Sequence, residues 1–119
     1  MLAAGALAAG RGCAAIAVTL PELDGTTITL LGLHDNGEQN VLHVHATALG
    51  PDASLMPKLW LFDDGGHWHV ADSDGWHGAS GDPTSCLTVT PPLGRPARVE
   101  IIAAGRSAEA RAEVLLQWS

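Results

Sequence analysis

The stretch AEARAEVLLQW, residues 108–118, decides the fold class. Ala108, Ala110, Ala112, Val114, Leu116 and Trp118 share one parity, while Glu109, Arg111, Glu113 and Gln117 hold the other. Period two with one apolar face is the pattern of a half-buried β-strand. Working upstream, comparable short segments cover 98–104, 85–90, 67–71, 58–62, 40–49, 26–34 and 15–20. Turn residues separate them: Pro21 with Asp24-Gly25, Asp35-Asn36-Gly37-Glu38, Asp63-Asp64-Gly65-Gly66, Pro91-Pro92 and Gly105-Arg106-Ser107. Gly and Asn tolerate positive φ, and Pro cannot continue a central strand. Segments 26–34 and 40–49 read as one hairpin, and 58–62 and 67–71 as a second. The expectation is an all-β antiparallel sandwich of about seven or eight strands, with no helix. Val44, Trp68, Val89, Ile101, Val114, Leu116 and Trp118 are expected to face its core.

With 119 residues the chain fits one domain. That is enough to bury a modest core without metal or disulfide staples. The formal net charge of -7 disfavours general nucleic-acid binding and anionic membrane surfaces. The first fifteen residues, MLAAGALAAGRGCAA, are rich in Ala and Leu, but no positive n-region precedes them. The run is also too short and too Gly-broken to span a membrane. They are read as a flexible leader at 1–15, with the β domain at 16–119. Cytoplasmic and secreted locations both stay open, because no complete signal peptide is visible. Cys13 and Cys86 are compatible with one disulfide, but spacing alone does not establish it, and two reduced thiols are the simpler expectation.

The stretch LWLFDDGGHWHV, a Gly-rich loop, CLTVTPPLGRPARVEIIAAG and RAEVLLQW together resemble the C-terminal half of bacterial immunoglobulin-like accessory domains. In those domains an apolar strand leads into an Asp-Asp-x-Gly turn and an aromatic strand, and a Pro-containing corner precedes two final strands. The resemblance spans residues 26–118 and is architectural. It implies an immunoglobulin-like sandwich with a binding or structural role. The chain departs from antibody-type domains, having no Cys…Trp…Cys arrangement and no Tyr.

Six histidines are the most functional-looking residues, and two pairs have i,i+2 spacing: His43 with His45, and His67 with His69. On a strand that spacing puts both imidazoles on one face, about 6–7 Å apart, close enough to share a Zn or Cu ion. Both pairs lie opposite the apolar parity, so outward-facing polar residues are the simpler reading. The Asp72-Ser73-Asp74-Gly75 run suggests calcium, but Pro83 stands where the closing carboxylate would fall. No nucleophile elbow or phosphate loop is present.

The long loop 72–84 carries Trp76 and His77 among glycines, a composition suited to protein or carbohydrate contact. The sequence therefore leads to a non-enzymatic protein-binding or structural module, an accessory domain or assembly subunit without a cofactor. Its contact residues are expected to be Trp76, His77, Asp74, Asp63 and Asp64, engaging a protein partner or a second copy. The alternative is a Zn- or Cu-binding sandwich using His43, His45, His67 and His69.

Overall fold

The computed structural model describes residues 12–23, 25–48, 58–72, 84–105 and 108–119. Among them are eight strands and no helix. The strands are β1 (Cys13–Thr19), β2 (Thr26–Asp35), β3 (Asn40–Ala48), β4 (Lys58–Asp63), β5 (Trp68–Asp72), β6 (Thr84–Thr90), β7 (Arg98–Ala104) and β8 (Glu109–Leu115). All neighbours pair antiparallel, in the order β1-β2-β3-β6-β5-β4-β7-β8. The C-terminal residues bring the two edges together. Ala14 bridges Trp118, Gly12 N–H donates to the Ser119 carbonyl at 3.1 Å, and Ser119 N–H donates to Cys13 at 2.9 Å. The result is one nearly closed, barrel-like sheet. The two halves expected as separate sheets are joined, because β5 is hydrogen-bonded both to β4 and to β6.

Two turns form as their residues dictate. In the β2–β3 turn the Asp35 carboxylate accepts from Gly37 N–H, and Asn36 Oδ1 accepts from Glu38 and Gln39. Gly37 sits at φ +95°, which a side chain would resist. In the β4–β5 turn Asp63 Oδ1 accepts from the N–H groups of Gly65 and His67, both at 2.9 Å.

The core holds Leu30, Leu33, Leu42, Val44, Leu59, Leu61, Leu87, Val89, Val99, Ile101, Val114 and Leu116. The final strand presents the expected face. A register shift between Leu30 and Gly32 reverses the parity of β2, so Leu30 and Leu33 both point inward. Strand β1 starts at Cys13, two residues before the expected start, and Cys13 and Ala14 are buried. Cys13 is buried and Cys86 exposed, and no disulfide joins them, because their strands are separated by β2 and β3. No described helix is long and apolar enough to cross a membrane.

Strand β5 corrects an expectation. Trp68, expected in the core, is 53% exposed, and His69, expected outside, is 4% exposed. The register across β4 is the cause. Leu59 and Leu61 face inward, and they pair with Ala71 and His69. Phe62 pairs with Trp68 and Trp60 with Val70, on the outer side.

Candidate functional site: an aromatic and ionic sheet face

The outer face of β5-β4-β7-β8 carries two rows of side chains set by register. One row runs Val70–Trp60–Ile102–Arg111, and the next runs Trp68–Phe62–Glu100–Glu113. The Trp60 and Trp68 rings meet edge to face, with centroids 6.4 Å apart and planes at 90°. Phe62 lies against Trp68 at 4.6 Å and 45°. Lys58 Nζ stands 5.6 Å from the Trp60 ring centroid, a cation–π distance. Ile102 is only 5% exposed although it faces away from the core, between Trp60 and Arg111. The barrel thus carries a second apolar cluster on its outside, left partly open at Trp68.

Two concavities adjoin on this face. The first, of about 340 Å³, is lined by Trp60, Trp68, Ile102, Ala104, Glu109 and Arg111. Its guanidinium wall is held in place, since Arg111 pairs with Glu109 and, at 3.5 Å, with Glu100. The second, of about 290 Å³, is lined by Phe62, Asp63, Asp64, Gly66, Arg98, Glu100 and Glu113. It gathers four carboxylates around one guanidinium, and the Arg98–Glu113 separation is 4.0 Å.

The Asp63 turn anchors the end of this face. Donation from the His67 backbone N–H, and then from the His69 ring, holds the Asp63 carboxyl down at about 2. His69 sits between two acceptors, with Nε2 2.7 Å from Asp63 Oδ2 and Nδ1 2.7 Å from the Pro91 carbonyl. Each ring nitrogen therefore has an oxygen within hydrogen-bond distance. Through the buried His69 ring, the β4–β5 turn is tied to the corner after β6.

The four histidines expected as metal ligands do not converge. His43 and His45 are half-buried on the outer side of β3. His67 is exposed in the turn, with Nδ1 3.5 Å from Asp63, and His69 points inward two strands from β3. His43 Nδ1 lies 3.3 Å from Cys86 Sγ, and burial pushes the His43 imidazole below its ordinary range. Among the described residues no group of three or more His, Cys, Asp or Glu is arranged to hold a metal ion. Of the expected contact residues, Asp63 and Asp64 line the acidic concavity, while Asp74, Trp76 and His77 lie outside the described residues.

Sequence reasoning missed Trp60, Phe62 and Trp68 as surface residues. A signal existed: Leu-Trp-Leu-Phe over 59–62 is apolar on both parities, so a sheet that buries only one side leaves it a second apolar face pointing outward. No protein-family model, no curated protein and no solved structure matches this chain.

Proposed function

We propose that this chain is a non-enzymatic module that binds a protein partner, an accessory domain or assembly subunit, and that the aromatic face of β5-β4-β7-β8 is its contact surface. One observation carries the reading: Trp68 stands 53% exposed, braced by Trp60 and Phe62, on a regular sheet face. Exposed aromatic clusters rimmed by charge mark interaction sites, and Trp and Arg dominate binding energy where they occur. The rigid ladder beneath keeps the ordering cost of association low.

The strand order also supports an immunoglobulin-like reading of the fold. With β1 set aside, β2-β3-β6-β5 and β4-β7-β8 follow the A-B-E-D and C-F-G orders of constant-type immunoglobulin sheets. On this reading β1 is an added edge strand, and the β4–β5 hairpin is the C–D connection that keeps the sheets joined.

The test is partner capture from a lysate of the source cells by wild type and Trp68→Ala. The variant is expected to lose capture, with binding weakened by about tenfold or more, while its melting temperature holds within a few degrees. Undiminished capture by Trp68→Ala would place the contact elsewhere.

A further inference from the structure

Resting on the binding-module reading, the geometry points to a basic, extended segment of a partner protein as the occupant of this face, an apolar side chain entering the aromatic concavity and a Lys or Arg the acidic one. Three observations support that occupant over others.

The first is charge. The chain carries 13 acidic against 6 basic residues, and the second concavity is lined by Asp63, Asp64, Glu100 and Glu113 against Arg98, with Arg111 reaching Glu100 from the neighbouring concavity and the His69 ring holding Asp63. A second copy would bring the same charge to the same surface, whereas a basic segment is steered to it.

The second is spacing. Trp60 and Phe62 are two residues apart on β4, as are Ile102 and Glu100 on β7, and in each pair the first residue lines the aromatic concavity and the second the acidic one. That step is about 6.5–7 Å, the separation of same-side neighbours on an extended peptide. Residues i and i+2 of one partner strand therefore reach both concavities.

The third is ring arrangement. Trp60 and Trp68 stand perpendicular and Phe62 is tilted, so the rings form a corner instead of the flat platform that stacks sugar rings.

The experiment titrates the full chain with a short synthetic peptide alternating Leu and Lys, followed by isothermal calorimetry and indole NMR shifts. The counterpart alternating Leu and Glu, and a neutral linear oligosaccharide, serve as comparison ligands. Saturable binding of the Leu-Lys peptide is expected, with shifts confined to the Trp60 and Trp68 indoles. Trp68→Ala and Glu113→Lys should each weaken it by about tenfold. Glu38→Lys makes the same change of net charge in the β2–β3 turn and should leave affinity within about twofold.

Equal loss in Glu38→Lys and Glu113→Lys would reduce the effect to overall charge and overturn the inference. So would equal binding of the Leu-Glu peptide, oligosaccharide binding that Trp68→Ala abolishes, or Trp68-dependent self-association in sedimentation. If Trp68→Ala abolishes partner capture while the Leu-Lys peptide fails to bind, the binding-module reading stands and the basic occupant falls. If the peptide binds through Trp68 while capture is unaffected, the reverse holds.

Discussion

Asn40 makes the sharpest test of how this barrel is held together. It is the first residue of β3 and 0% exposed. Its carboxamide spans to the corner between β6 and β7. Nδ2 donates to the Gly94 carbonyl at 2.8 Å, and Oδ1 accepts from the N–H groups of Leu93 and Gly94. Asn40→Ala strips partners from two N–H groups and one carbonyl. The Leu93 N–H is buried, and leaving it unsatisfied costs about 1–3 kcal/mol. Gly94 is exposed, so water recovers part of its loss, about 0.5–1.5 kcal/mol for each of its two bonds. The expected destabilisation is therefore about 2–6 kcal/mol.

For a domain of this size that lowers the melting temperature by roughly 10–20 °C at the middle of the range. Urea denaturation followed by tryptophan fluorescence measures it as a lower midpoint with unchanged slope. Asn40→Asp refines the reasoning. It keeps an acceptor for the two N–H groups but turns a carboxylate oxygen toward the Gly94 carbonyl. It should be destabilising at neutral pH and recover as the carboxyl protonates. A loss below about 1 kcal/mol in Asn40→Ala would refute the role given to this side chain.

Acid stability supplies another check. The Asp63 carboxyl is held at about 2 in the fold against an ordinary 3.8, so its ionised form favours the folded state. That contribution is complete above about pH 4 and is lost as pH falls toward 2. Wild type should therefore lose stability more steeply than Asp63→Asn across this window in urea titrations, and parallel profiles would contradict the assignment. Thiol titration with a disulfide reagent should find one fast thiol, the exposed Cys86, and a second, the buried Cys13, only on unfolding. Two fast thiols, or none, would contradict the structure.

The parts legible in the sequence are those that local chemistry settles. The alternation at 108–118 defines which side of β8 is buried, because period two and a one-sided apolar set leave a single register that hides Val114 and Leu116. The Asp35–Glu38 turn is likewise local, built from Asx hydrogen bonds and a glycine at positive φ.

Strand β5 is different. Trp-His-Val-Ala-Asp puts its larger apolar residues on one parity, and transfer energy alone would bury them. Its face is decided by β4, whose inward Leu59 and Leu61 commit the opposed Ala71 and His69 to the core side. A buried histidine is tolerable there because Asp63 and the Pro91 carbonyl, residues 6 and 22 positions away, come within hydrogen-bond distance of its two ring nitrogens. Asn40 depends in the same way on a corner 53 and 54 residues later. Side-chain alternation is a property of the strand alone. The partner that makes a buried polar group affordable, or that turns an apolar strand outward as a contact face, exists only once distant strands have paired.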